Sequence, residues 1–172
     1  VTPAVTILVG ILIGQLIGPY IDAFMKALGK IIMWATGEQP FLMGVVISVV
    51  VGCVLTLPIS SAALCIMLDL SGIAAGAATV GCVAHMVGFA VISFKDNGWG
   101  GFFSQGLGTS MLQMGNIVRH PQIALPSILA SAVLGPLATM VFHMENTPAG
   151  AGMGSAGLVG QIGTLEAMGF TW

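Results

Sequence analysis

Six side chains carry most of the chemistry available to this sequence: His85, Glu145, Asn146, Gln161, Thr164 and Glu166. Five of them fall in one stretch, FHMENTPAGAGMGSAGLVGQIGTLEAMG, residues 142–169. Carboxylates, carboxamides and a hydroxyl are the groups that exchange hydrogen bonds with a polyhydroxylated solute. The interval 149–165 between the two glutamates has no charge and contains Met153, Leu158, Val159, Ile162 and Leu165. That content points to a packed or membrane-embedded element rather than a water-exposed loop. Gly154, Gly157, Gly160 and Gly163 recur at every third position. The repeat gives either one slim face of a short helix or backbone left bare for a ligand. His85 stands alone in the apolar run GCVAHMVGF. An imidazole there either bonds to a neighbouring helix or lines a cavity.

Other chemistry is missing from the pattern. No Ser/His/Asp or Cys/His arrangement has the logic of an activated nucleophile. Neither a GxxxxGK[ST] phosphate loop nor an HExxH metal motif occurs. Cys53, Cys65 and Cys82 sit in apolar runs without metal or redox spacing, and read as small buried hydrophobes. The expectation is therefore no catalytic residue, no metal and no cofactor.

The elements that must hold these groups follow from composition. Of 172 residues, 56% are hydrophobic and only 6% charged, and the mean hydropathy is +1.04. A soluble domain carries about a quarter charged residues, so this chain reads as an integral membrane protein. Four basic and six acidic residues offer no basic patch for nucleic acid. Crossing a bilayer takes about 20 apolar residues in a helix. Four uncharged stretches qualify, near residues 4–21, 41–57, 73–94 and 122–142. They lack the period-2 alternation of a barrel, which leaves helices. The fold class is all-α: about four transmembrane helices, an interfacial amphipathic helix, and re-entrant or broken segments.

The first span carries Gly10, Gly14 and Gly18 on one face, a pattern suited to close helix contact, and Gln15 as a packing hydrogen bond. Gly18-Pro19 is expected to end or kink it. Residues 21–36 place Ile21, Phe24, Met25, Leu28, Ile31 and Ile32 on one face and Asp22, Lys26 and Lys30 on another, as in an interfacial helix. Trp34 suits an aromatic belt. Residues 58–72 read as a short re-entrant helix carrying Asp69. Residues 102–119 mix glycine, methionine and amides, and Asn116, Arg119 and His120 anchor their far end. With strictly alternating spans, Lys26, Lys30, Lys95 and Arg119 all fall on the cytoplasmic side, and 143–172 on the outer side unless it dips back. The chain opens without Met on an apolar segment. It reads as a single transmembrane domain over 1–172 that is a portion of a longer polypeptide.

The run NIVRHPQIALPSILASAVLGPLATMVFHMENTPAGAGMGSAGLVGQIGTLEAMG, residues 116–169, resembles phosphotransferase-system enzyme IIC-like membrane proteins, and more closely their perfringolysin-regulator-like branch. The resemblance implies a dimeric multi-pass protein of the bacterial cell membrane. It would bind sugar in a membrane chamber, while IIA and IIB partners supply phosphate. Many enzyme IIC proteins carry a G-[IV]-[TS]-E segment whose glutamate contacts sugar. GTLE at 163–166 is similar, with Leu165 between Thr164 and Glu166. No IIA or IIB domain lies in this sequence, so phosphorylation is not carried by these residues.

The expected function is a transporter of a small polar solute, with sugar the candidate. Glu145, Asn146, Gln161, Thr164 and Glu166 would supply hydrogen bonds, and His85 would line the cavity. A membrane-embedded regulator that has lost transport is the second reading, and an ion channel the third.

Overall fold

A computed structural model describes the backbone of residues 2–169. Among them there is no strand ladder, only an isolated bridge between Gly72 and Asn146. Nine α-helices follow one another: α1 Thr2–Glu38, α2 Pro40–Thr56, α3 Ser61–Met67, α4 Gly72–Ile92, α5 Phe94–Phe103, α6 Met114–Arg119, α7 Leu125–Pro136, α8 Pro148–Met153 and α9 Val159–Met168. Short 3-10 and π turns lie between several of them.

Local chemistry sets these limits. Pro40 opens α2, where a missing N–H costs nothing. Ser60 caps α3 by accepting from the Ala63 N–H at 3.2 Å. Asp69, at φ 52°, and Gly72, at φ 61°, then turn the chain into α4. The α4 helix and the stretch Pro121–Val141, each 21 residues, are long and apolar enough to cross a membrane. Pro40–Thr56 is a shorter apolar helix of 17 residues, at the lower limit for a span.

α1 departs from expectation. It runs through Pro19 as one 37-residue helix, so the span and the amphipathic helix are halves of a single element. Gly18 has no Cβ to clash with the proline ring, which relieves the usual bar on α conformation before proline. Met25, Ile32 and Met33 then pack against the core. Gly29 lies so close to the Leu68 carbonyl that a Cβ would collide with it. The expected small-residue contact is absent at Gly10 and Gly18, which have no neighbour within 4 Å. The surroundings of Gly14 lie outside the described residues.

α2, α4 and α7 form the bundle. Ser48 of α2 lies against Gly81, Val51 against Cys82, and Gly52 against His85. Both sequences ascend together, so α2 and α4 are parallel. α7 opposes them: Ser48 Oγ donates to the Ser131 carbonyl at 2.8 Å, Gly88 faces Ser127, and Thr139 Oγ1 beyond α7 donates to the Pro40 carbonyl at 2.8 Å. Glycine and serine line these contacts because lipid provides no hydrophobic drive between helices, and close packing must supply the attraction.

Parallel α2 and α4 correct the topology drawn from alternating spans. Residues 57–71 travel back along the bundle, with α3 as their helical part, instead of dipping in and returning to the same end as the re-entrant reading had it. α2 therefore begins at the end opposite to that where Lys95 and Arg119 follow α4. The charge rule failed because it counted only long apolar runs as crossings, and a broken crossing has none.

Candidate functional site

After α7 the chain folds into a hairpin of α8 and α9 on the flank of α4. Met144 presents its carbonyl to Gly76, Gly154 lies on Cys82, and Ser155 Oγ reaches Met86 Sδ at 3.4 Å. The hairpin thus climbs from the Gly72 end of α4 to beyond its middle. Gly154, Gly157 and Leu158 take φ of 56°, 53° and 62° to turn it. α9 then descends past Thr79 and Asn146, until Met168 Sδ lies 3.3 Å from the Glu145 N–H. The four glycines do not share one helix face, because only Gly160 and Gly163 lie on α9, yet close packing accounts for three positions. A Cβ at Gly154, Gly160 or Gly163 would strike Cys82, the Gly154 carbonyl or the Asn146 side chain. Gly157 instead serves the turn.

A second irregular segment enters from the other end of α4. Residues 104–113 comprise a π turn, Ser104–Gly108, and a 3-10 turn, Ser110–Gln113. Their carboxamides form a ladder into the interior. Asn116 donates to Gln113 at 2.8 Å, Gln113 to Gln105 at 3.1 Å, and Gln105 to Ser93 at 2.7 Å. The two segments meet where Ser155 Oγ donates to the Gly106 carbonyl at 2.5 Å. Close by in sequence, Thr56 Oγ1 joins His85 Nδ1 at 3.3 Å and Ser110 Oγ at 3.1 Å. Gln105, Gly106, Ser110 and Gln113 are buried, so the inner part of this irregular backbone is kept within the protein.

The six expected site residues separate into three groups. Asn146 is buried and fully engaged. Its amide donates to Thr79 Oγ1 at 2.6 Å and the Gly160 carbonyl at 3.0 Å, and its oxygen accepts from the Thr147 N–H at 2.7 Å. Thr164 shares the Gly160 carbonyl, at 2.9 Å. Glu145, Gln161 and Glu166 are exposed. The Glu145–Met168 contact puts both glutamates at the open end of the hairpin. Gln161 and Thr164, with Thr79, line a mostly apolar groove of about 570 Å³ beside α4 and α7 that includes Val83, Val87, Val91 and Leu134. His85 stands apart from these and lines a smaller cavity of about 160 Å³. Thr79, Ser155, Gln105 and Gln113 were not singled out by sequence. Thr79 and Ser155 stand as isolated polar residues among apolar and glycine neighbours, and Gln105 and Gln113 belong to the amide-containing stretch 102–119.

Among the described residues this is an all-helical membrane protein whose core contains two broken segments inserted from opposite ends of a helix trio. The whole chain, residues 1–172, matches the family model described as Phosphotransferase system, EIIC, and the protein belongs to that family of membrane transporters. No curated protein and no solved structure matches it.

Proposed function

We propose that this protein binds a sugar within the membrane and passes it across, as the translocating component of a phosphotransferase system. Phosphate would come from separate IIA and IIB-like proteins, and the working form would be a homodimer in a bacterial cell membrane. The observation that carries this reading is the meeting of the two broken segments at Ser155 and Gly106. Such breaks free backbone groups and small side chains at depth, where transporters build their solute sites.

Glu145, Gln161, Thr164 and Glu166 are proposed to receive the solute at the hairpin's open end and along α9. The exposure of Glu145, Gln161 and Glu166 leaves oxygen and nitrogen atoms for solute hydroxyls, the half-buried Thr164 has its oxygen left to accept, and the buried Asn146 holds the hairpin that carries them. His85 is proposed to line the inner part of the path. The test is binding and vesicle uptake of a panel of labelled sugars by the purified chain. Glu166→Gln is expected to weaken binding about tenfold or more, the scale of a lost charge-assisted hydrogen bond, while membrane insertion is unchanged. Equal affinity in the variant removes Glu166 from the site. Sugar binding without flux in the presence of the partner proteins would favour a sensor.

A further inference from the structure

Four aromatic rings gather where α5 leaves the end of α4. α4 runs for 21 residues, which at about 1.5 Å each cover roughly 31 Å, the thickness of a bilayer's hydrocarbon core. Ile92 is its last residue, so Phe94, the first of α5, stands at the boundary between acyl chains and headgroups. Gly98 breaks α5 with φ 58° and ψ −156°, a conformation open essentially only to glycine. The break folds Trp99 back towards Phe94, with ring centroids 5.1 Å apart. Phe102 lies 6.0 Å from Phe94 and 5.9 Å from Trp99, and Phe103 stacks on Trp99 at 6.1 Å. The chain does not close over this cluster: Trp99 is 67% exposed and Phe103 54%. α5 rests on the end of α4 and on the π turn that follows it.

We propose that this cluster is an interfacial anchor, with the rings of Trp99 and Phe103 docked into the bilayer at the level of the headgroups. Val87, Val91 and Phe94 are all exposed and follow at intervals of four and three, so the outward apolar face of α4 runs without a gap into the cluster. The lipid that covers the one therefore reaches the other. An indole has an apolar body and one N–H, which suits the level where acyl chains give way to water. Lys95, Asp96 and Asn97 are exposed beside it, where water and headgroups satisfy them, and the two charges cancel. Gln105 Nε2 donates to Ser93 Oγ at 2.7 Å and closes the neck of this excursion just where the irregular residues 104–113 begin. Docking of α5 thereby sets the depth at which the carboxamide ladder enters the protein.

The test uses the full chain in phosphatidylcholine vesicles whose acyl chains carry bromine either near the headgroup or near the tail. Trp99 emission is the difference between the wild type and Trp99→Phe; a chain with Trp34→Phe and Trp172→Phe reports the same ring if Trp99→Phe does not fold. Emission to the blue of an indole in water, quenched at least about twofold more by the shallow bromine, is expected of a ring at the interface. Stronger quenching by the deep bromine would put the ring in the hydrocarbon core and overturn the proposal. Water-like emission without quenching would overturn it as well. So would blue emission without quenching, which would mean that a second copy or a partner protein covers the rings. Trp99→Ser combined with Phe103→Ser should quicken amide exchange across residues 104–113 in the same vesicles. Unchanged exchange there would remove the anchor's part in setting the depth of that segment.

Discussion

Asn146 and Thr79 are joined by a 2.6 Å hydrogen bond between the start of the hairpin and the middle of α4, with both side chains buried. The other Asn146 amide hydrogen goes to the Gly160 carbonyl, and its oxygen accepts from the Thr147 N–H. One carboxamide therefore fixes the start of the hairpin, the descending helix α9 and α4 to each other.

Asn146→Ala should destabilise the protein by about 2–4 kcal/mol, since three hydrogen bonds of one buried carboxamide are lost together. Asn146→Asp should be no better, because a carboxylate cannot donate to the Gly160 carbonyl. Thermal unfolding in detergent measures both, and wild-type stability in Asn146→Ala would refute the hub.

Gly76 and Gly10 should respond oppositely to alanine. At Gly76 a methyl group would run into the Met144 carbonyl, backbone that cannot step aside; a loss of about 1–3 kcal/mol is expected. At Gly10 nothing lies within 4 Å, so alanine should be neutral or raise stability by up to ~1 kcal/mol through helix propensity. The pair of melting curves separates packing glycine from incidental glycine.

Ser155→Ala removes the tie between the two broken segments. The stability cost should be about 1 kcal/mol, and amide exchange at residues 104–108 should quicken. Unaltered exchange there would show that the Gly106 carbonyl is held by something else.

The parallel course of α2 and α4 is open to labelling. Single cysteines at Ile59 and Asn97 should react with a membrane-impermeant maleimide from the same side, and one at His143 from the opposite side, with the unsubstituted chain as background. Simple alternation of spans would instead group residue 59 with residue 143.

Much of this was legible in the sequence, and the boundary has a physical cause. The limits of α2 and α4 and the apolar stretch 121–141 follow from uncharged runs bounded by proline, serine and glycine. Composition made the fold class plain. What stayed hidden depends on the third dimension: no local pattern says that Ser48 lies beside Gly81, and without that contact α3 reads as a re-entrant dip rather than part of a return crossing. Likewise, the carboxylates of the 142–169 stretch drew attention, whereas Asn146 and the glycines fix its shape. The 163–166 segment GTLE marked the family, yet Thr164 spends its hydroxyl on Gly160.

The broken crossing at 57–71 has a consequence for biosynthesis. Its seven-residue helix leaves backbone groups on both sides that cannot face lipid. α1 shields one side, through Gly29 on the Leu68 carbonyl, and α8 the other, where Ser61 Oγ donates to the Gly152 carbonyl across 91 residues of sequence. Half of that shelter does not exist when residues 57–71 leave the ribosome. The segment is fully sheltered only once the hairpin has been made, so this crossing is completed after the later part of the chain has been synthesised.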